Sequence, residues 1–278
     1  MSSDVPPRPR KATVRTFQEM KERGERITCL TAYDFLFARI LEEAGIDLVL
    51  VGDSLGQVAL GHDSTLPVTM DAMVHHSQAV RRGAPNTFLV ADLPFMSYRT
   101  SREDALRNAG RFLQEAGAEG VKVEGGDEDA CGTVEALVRS GIPVMGHLGL
   151  QPQSVHAVGG YRVQGRGRHA GDRMLAQARA LEDAGCFSLV LELVPAELAR
   201  RISSKLRIPT IGIGAGPHCD GQVLVLPDAL GLNSGFTPRF LKRFAELDTM
   251  AKEGVGRFIQ EVREGTFPGP EHSLEEED

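Results

Sequence analysis

The sequence predicts an α/β protein built as a (β/α)8 TIM-type barrel. Short apolar runs bounded by turn residues recur along the chain, as in the stretch from Asp47 to Val51, and such runs are typical of buried strands. Five of them follow helix-like segments that stop at a glycine, which suits the left-handed position past a helix end. The length of 278 residues is close to the roughly 250 of a single barrel. Eight strands with intervening helices favour a parallel barrel over a doubly wound sheet.

The elements follow one another in the order that a barrel requires. Strands are predicted at residues 27–31, 47–51, 88–91, 121–123, 144–146, 189–191, 210–213 and 222–226. Helices are predicted at residues 16–23, 35–44, 69–82, 172–184, 195–206 and 238–264, with another behind a capping box at residues 100–103. Thr69 is expected to cap the third of these helices, and Pro195 to start the helix after the sixth strand.

We expect one catalytic barrel domain over residues 13–268, preceded by a flexible arm at residues 1–12 and followed by an acidic tail at residues 269–278. Residues 238–264 again have a helical pattern, which follows the eighth strand and adds a helix that a closed barrel does not require. Such an extra C-terminal helix often packs on a partner subunit. The glycine-rich stretch from Gly159 to Gly167 is expected to be a mobile lid, with a disordered excursion as the alternative.

Composition excludes several classes of protein. The net charge of −7 with scattered basic residues argues against nucleic-acid binding, and no apolar run approaches the roughly 20 residues of a membrane span. The polar N-terminus does not resemble a secretory signal. The four cysteines have no CxxC spacing, which favours reduced thiols and a cytoplasmic protein. The glycines fit neither a dinucleotide nor a nucleoside-triphosphate motif.

Ionisable side chains stand at the ends of five predicted strands. A single acid at such a place is more often a turn former than a ligand, but here the feature repeats. Barrel active sites are built at the carboxyl ends of the strands, so these groups predict a site there. They are Asp53, Asp92, Glu124, His147 and Glu192.

The fourth strand carries two charges on one face. Lys122 and Glu124 alternate with Val121 and Val123, so both charged side chains point to the same side. Burying them is costly unless they are paired or used in chemistry. A plain ion pair with a neighbouring strand is the alternative to a catalytic role.

These groups suit metal-assisted chemistry on a 2-oxo acid. Asp53 and Asp92 offer oxygen ligands of the kind that Mg²⁺ prefers, and zinc would want more nitrogen or sulfur. A metal and a lysine beside a carbonyl would stabilise an enolate, and a separate carboxylate could remove the neighbouring proton. The pattern therefore predicts enolisation and leaves the second substrate open.

With these residues identified, the chain resembles the ketopantoate hydroxymethyltransferase family. The resemblance covers nearly the whole chain and lies in Ala32-Tyr33-Asp34, Val51-Gly52-Asp53-Ser54, residues 61–69, Arg81-Arg82-Gly83-Ala84-Pro85, residues 91–96, residues 121–126, Gly146-His147-Leu148-Gly149-Leu150, residues 159–166, residues 211–216 and Gly265-Thr266-Phe267-Pro268.

The resemblance implies a barrel akin to the phosphoenolpyruvate mutase and isocitrate lyase group, assembled as a homodecamer. It implies transfer of the one-carbon unit of 5,10-methylenetetrahydrofolate to 3-methyl-2-oxobutanoate, for pantothenate synthesis. Carried over by position, the substrate-binding residues are Asp53, Ser54, Asp92, Lys122 and His147. The Mg²⁺ ligands are Asp53 and Asp92, with Glu124 supporting the metal.

The resemblance also makes Glu192 the catalytic base. In sequence its neighbours are the apolar Leu191, Leu193 and Val194, a setting that makes a carboxylate a better proton acceptor. The chain departs from the family pattern at Gln151, at Leu193 and in residues 217–219. These departures concern the detail of loops and not the implied chemistry.

Two alternatives differ in function. A C–C lyase or phosphomutase of the same barrel group is the first, but the cysteine segment of such lyases, Lys-Lys-Cys-Gly-His, is missing from the sequence. A binding or scaffold protein is the second, and it would not be expected to keep every charged strand end.

Overall fold

The computed structural model describes residues 11–160, 162–235 and 237–274, apart from the side chain of Val158. The strands are β1 (Ile27–Thr31), β2 (Leu48–Val51), β3 (Phe88–Asp92), β4 (Gly120–Glu124), β5 (Val144–Gly149), β6 (Ser188–Glu192), β7 (Thr210–Ile213) and β8 (Gly221–Leu224). The helices are α1 (Val14–Arg23), α2 (Phe35–Glu43), α3 (Leu55–Val58), α4 (Met70–Gly83), α5 (Arg102–Ala116), α6 (Glu128–Arg139), α7 (Val155–Val158), α8 (Arg168–Asp183), α9 (Ala196–Ser203), α10 (Leu226–Ala229) and α11 (Leu247–Glu264). Pro152–Ser154 and Pro270–His272 form short 3₁₀ helices.

The eight strands form a closed parallel barrel in chain order, which confirms the predicted fold class. Closure is made by β1, whose Cys29 is in register with Leu48 of β2 on one side and with Val223 of β8 on the other. Parallel strands need crossover connections, and helices supply them except between β7 and β8, which residues 214–220 join without a helix. Thr69 caps α4 as predicted, because its hydroxyl accepts from the amide of Ala72.

The amino-terminal end of the barrel is closed by α1. Its Phe17 is fully buried and packs edge-on against Phe88 at the start of β3, with ring centroids 5.0 Å apart. Phe187, just before β6, packs on the same Phe88 ring. These aromatic contacts seal one end of the barrel, so the opposite, carboxyl end is left for the site.

Several predicted boundaries are wrong for identifiable reasons. Residues 238–246 do not form the predicted helix. The amide of Phe244 donates instead to the carbonyl of Ala229, and the amide of Leu247, at the start of α11, donates to the carbonyl of Leu230. The N-cap of α5 is Ser101, whose hydroxyl accepts from the amide of Asp104, so the cap lies one residue after Thr100, the first residue of the predicted capping box.

Other boundaries differ by a few residues. Helix α8 begins four residues earlier than predicted, at Arg168, and α9 ends at Ser203. The short helices α3 and α7 were not predicted, and α6 was predicted only as a helix-like segment that stops at Gly141. The two short helices lie in connections where glycine or proline obscures the helical period of the sequence.

The chain groups into two compact units, one ending at Val225 and one beginning at Leu226. The first holds the barrel. The second holds α11, which exposes Met250, Val255, Phe258, Ile259 and Val262. The predicted domain limits at residues 13–268, together with the arm and the tail, stay predictions, and residues 1–10 and 275–278 lie outside the described residues. Across the described chain, no helix combines the length and apolarity that crossing a membrane requires.

Candidate active site

Strand register brings the predicted site residues together at the carboxyl ends of β2 to β6. Asp92 is the register partner of Lys122 across β3 and β4, and Glu124 is the partner of His147 across β4 and β5. Asp53 lies two residues beyond β2. These five side chains are buried, although burying charged groups is costly unless they are paired.

An ion pair joins β3 to β4. Lys122 Nζ lies 3.0 Å from Asp92 Oδ1 and 3.2 Å from Nδ1 of His147. The sequence left open whether Lys122 and Glu124 act in catalysis or form a plain ion pair with a neighbouring strand. The structure shows the ion pair, and it places the ammonium between Asp92 and the imidazole.

His147 links this pair to two glutamates. Its Nδ1 lies 3.5 Å from Oε1 of Glu124, and its Nε2 lies 3.2 Å from Oε2 of Glu192. The expectation of purely apolar surroundings for Glu192 is therefore wrong. Strand register, which cannot be read from the neighbours in sequence, turns the Glu192 carboxylate towards His147. That carboxylate is 18% exposed, so it is the part of the network that substrate can reach most easily.

The backbone around Glu192 is fixed by its surroundings. The Glu192 carbonyl accepts from the amide of Leu150, and the Leu193 amide donates to the carbonyl of Ile213. Leu193 has a φ of +47°, a left-handed conformation that costs about 1–3 kcal/mol in a residue other than glycine. Its carbonyl accepts from the amide of Gln164 at 2.9 Å, which ties the predicted lid to the residue after Glu192.

Lys122 and His147 carry the positive charge of the network. Burial lowers the pKa of Lys122, but Asp92, Glu124 and Asp53 outweigh burial and raise it, so the side chain stays an ammonium. Burial and Lys122 also lower the pKa of His147, whereas Glu124 and Glu192 raise it to about 9. A protonated ring cannot accept from Lys122, so its Nδ1–H then points to Glu124. The contact with Lys122 is a hydrogen bond when the ring is neutral.

The carboxylates divide into two groups. Burial raises the pKa of Glu124, but His147 and Lys122 outweigh burial and lower it, so Glu124 stays ionised. Burial, Asp92 and Glu124 together raise the pKa of Asp53 well above its ordinary range. Burial also raises the pKa of Asp92, against the opposing charge of Lys122. Asp53 and Asp92 therefore form a crowded acidic pair that a divalent cation would stabilise.

The turn after β2 is shaped by a glycine. A Cβ atom on Gly52 would lie 2.7 Å from Oγ of Ser54 and 3.6 Å from Oδ2 of Asp92, so a larger residue would displace the site. The Ser54 hydroxyl is within 2.8 Å of the phenolic oxygen of Tyr33, and the amide of Asp53 donates to Asp92. Tyr33 thus orients the serine predicted to bind substrate.

Two buried residues of the site, Tyr98 and Gln153, were not predicted from the sequence. The amide of Gln153 donates from Nε2 to Oδ2 of Asp53 at 2.9 Å, and the hydroxyl of Tyr98 donates to Oε1 of Gln153 at 2.9 Å. Gln153 also donates its backbone amide to Oε2 of Glu124. Neither residue ends a strand, so no pattern in the sequence distinguished them.

The residues fit a magnesium ion held by two carboxylates. Among the described residues, Asp92 Oδ1 and Glu124 Oε1 are buried without a hydrogen-bond partner, although the Lys122 ammonium lies 3.0 Å from Asp92 Oδ1. Within residues 11–160, 162–235 and 237–274, no three acidic, histidine or cysteine side chains are grouped closely enough to hold a metal by themselves. Mg²⁺ commonly takes one or two protein carboxylates and fills its remaining positions with water and substrate oxygens.

This arrangement defines a class of protein: a (β/α)8-barrel enzyme with acid–base groups at the carboxyl ends of its strands. The chain belongs to the ketopantoate hydroxymethyltransferase family, whose family model matches residues 11–270.

Relatives with established names support this membership. The chain is 57% identical over 265 residues to the 3-methyl-2-oxobutanoate hydroxymethyltransferase of Syntrophus aciditrophicus (strain SB), covering 95% of this chain and 97% of that protein. It is 54% identical over 264 residues to the enzyme of the same name from Enterococcus faecalis (strain ATCC 700802 / V583), covering 95% and 96%.

Solved structures share the fold at much lower identity. A 2,3-dimethylmalate lyase, described as a member of the PEP mutase/isocitrate lyase superfamily, has a TM-score of 0.60 at 18% identity and covers 95% of this chain and 90% of its own. A phosphonopyruvate hydrolase solved with oxalate and Mg²⁺ has a TM-score of 0.60 at 12% identity, covering 93% and 92%. These likenesses confirm the barrel fold alone.

Proposed function

We propose that the chain transfers the one-carbon unit of 5,10-methylenetetrahydrofolate to 3-methyl-2-oxobutanoate in a Mg²⁺-dependent reaction that yields 2-dehydropantoate for pantothenate and coenzyme A synthesis. The observation that carries the proposal is the unbroken series of contacts from Asp92 through Lys122 and His147 to Glu192. It joins the carboxylate that would bind the metal to the partly exposed carboxylate that would act as base, in a family named for this transfer.

The keto acid would be held by groups from β2 to β5. Asp53 and Asp92 would hold Mg²⁺, with Glu124 supporting it, and the bound ion would supply electrophilic stabilisation of the keto acid's oxygen atoms. Ser54, oriented by Tyr33, would bind the substrate carboxylate. The Lys122 ammonium would face the negative charge that develops on the carbonyl oxygen.

Glu192 would remove the proton from C3 of the keto acid. His147 contacts the Glu192 carboxylate and would keep it oriented towards the substrate. The resulting carbon nucleophile forms the new bond to the one-carbon unit. The overall transfer consumes one water, which supplies the hydroxyl group, and releases tetrahydrofolate.

The direct test is formation of 2-dehydropantoate from the two substrates with Mg²⁺, followed by NMR. Product is expected with Mg²⁺ and none after chelation of the metal. Cleavage of 2,3-dimethylmalate or rearrangement of phosphonopyruvate by the same preparation, without hydroxymethyl transfer, would instead favour the lyase or phosphomutase alternative.

We further propose a cytoplasmic homodecamer that binds these small molecules and neither nucleic acid nor membrane. The family resemblance and the exposed apolar side chains of α11 support self-association. Light scattering at micromolar concentration should give ten times the mass of the chain, and a monomer would contradict the proposal.

A further inference from the structure

We propose that Gln153 is a positioning residue that fixes the orientation of the Asp53 carboxylate for metal binding. The inference rests on the proposed function, because it gives Asp53 the role of a Mg²⁺ ligand. Gln153 is only 4% exposed, although it lies in the 3₁₀ turn after β5, outside the barrel strands. A glutamine buried to this degree needs partners for its amide group.

All the hydrogen-bonding groups of this side chain are occupied. The two hydrogens on Nε2 go to Asp53 Oδ2 and to the carbonyl of Leu93, both at 2.9 Å. Oε1 accepts from the hydroxyl of Tyr98, also at 2.9 Å. The Asp53 carboxylate and the Leu93 carbonyl can only accept, so Nε2 rather than Oε1 must face them. The orientation of the Gln153 side-chain amide is therefore determined by its partners.

These partners come from different strand ends. Asp53 follows β2, Leu93 follows β3, and the Gln153 backbone amide donates to Glu124 at the end of β4 at 3.3 Å. A single residue therefore connects the carboxylate predicted to bind metal with the ends of β3 and β4. Because the Gln153 side-chain amide is held at three points, by Asp53 and Leu93 at Nε2 and by Tyr98 at Oε1, it fixes the rotation of the Asp53 carboxylate about its last bond.

Residues that hydrogen-bond a metal ligand affect the affinity of the site for the metal. Groups that hydrogen-bond a metal ligand orient it, and their loss typically reduces metal affinity by about 10- to 100-fold. A purely structural tie would behave differently. Its loss would lower the stability of the fold and leave the metal affinity of the folded protein unchanged.

The test measures Mg²⁺ binding alone, by calorimetry, on Gln153→Met. Methionine keeps the length of the side chain and removes every donor and acceptor. We expect the affinity to fall about 10- to 100-fold at a temperature where circular dichroism shows the parent fold. Gln151→Met is the matched control: this glutamine lies two residues earlier, is less buried, and makes no side-chain hydrogen bond to the described residues that the structure shows. Parental affinity in a folded Gln153→Met would overturn the proposal.

A second variant tests the positioning role of Gln153 if Gln153→Met does not fold. Tyr98→Phe leaves Gln153 intact but removes the hydroxyl that holds its amide, so the affinity should fall several-fold. Unchanged affinity in this folded variant would overturn the proposal.

Binding is measured without either organic substrate, so it separates the two proposals. A Mg²⁺ affinity that depends on Gln153 in a protein without transfer activity would overturn the proposed function alone. A parent that binds no Mg²⁺ would overturn the positioning role.

Discussion

Charge balance governs the site at the scale of single residues. Asp53, Asp92 and Glu124 are buried together, and Lys122 lies within hydrogen-bonding distance of only Asp92 among them. Burial and nearby carboxylates raise the pKa values of Asp53 and Asp92, so protons compete with a divalent ion for these carboxylates at a higher pH than they would for exposed ones. Metal binding should therefore weaken as the pH falls, since protons and the metal compete for the same two carboxylates.

Replacing one of these carboxylates tests that view. Asp92→Asn keeps the size of the side chain but removes its charge, so Mg²⁺ affinity measured by calorimetry should fall on the order of a hundredfold or more. Asp129→Asn on the exposed surface of α6 is the matched control and should bind as the parent does. Equal affinity in Asp92→Asn would mean that the two-aspartate site is wrong.

The five strand-end groups could be predicted from sequence because a parallel barrel places every strand end on one rim. What joins them could not be predicted in the same way. The contact between Glu192 and His147 depends on strand register, and the buried Gln153 reaches Asp53 from a turn 100 positions away in the chain. For this reason the apolar neighbours of Glu192 in sequence gave a wrong prediction of its surroundings in the fold.

At the scale of elements, carboxylates also hold the starts of strands. Glu42 near the end of α2 accepts from the amide and side chain of both Asn86 and Thr87, just before β3. Burial raises the pKa of Glu42, but these four hydrogen bonds outweigh burial and lower it. A lowered pKa in the folded state gives stability that is present above the unfolded value of about 4.3 and lost as the pH falls through the folded value.

Glu42→Gln should therefore destabilise the protein in a pH-dependent way. At pH 7 we expect the free energy of unfolding to fall by about 1–2 kcal/mol, measured by urea denaturation. The difference should shrink as the pH falls below the unfolded value of about 4.3 and should vanish only below the lowered folded-state pKa, where the carboxyl is protonated in both states. Glu43→Gln, exposed and adjacent, should have little effect at either pH. A loss independent of pH would contradict the assigned role of the charge.

The segment predicted as a lid makes a second prediction at this scale. Arg162 and Arg166 are exposed and lie in irregular backbone, while the Gln164 amide between them is bonded to Leu193. Trypsin should cut at these arginines in the free enzyme and at least several-fold more slowly with both substrates bound. Equal cleavage rates with and without substrates would count against a lid.

The elements themselves were predictable to different degrees. Buried strands and amphipathic helices have strong periods, so all eight strands were identified within three residues at either end. Residues 238–246 keep a helical pattern in sequence, yet the amide of Phe244 bonds to Ala229 of α10, a contact made by tertiary structure. Local pattern cannot distinguish a helix from a segment held in this way.

At the scale of the whole molecule, the closed barrel gathers groups from five strands at one rim. The central claim is that these groups enolise 3-methyl-2-oxobutanoate with Glu192 as the base. Enolisation needs the keto acid, the metal and the base but no folate, so it can be observed separately from transfer.

The most direct measurement is exchange of the C3 proton of 3-methyl-2-oxobutanoate in D₂O with Mg²⁺, followed by NMR. The parent should exchange this proton, and Glu192→Gln should slow exchange on the order of a hundredfold or more while still binding the keto acid. Glu197→Gln, exposed on α9, is the control and should exchange at the parental rate. No exchange by the parent, or parental exchange by Glu192→Gln together with its loss in Glu124→Gln, would contradict the account.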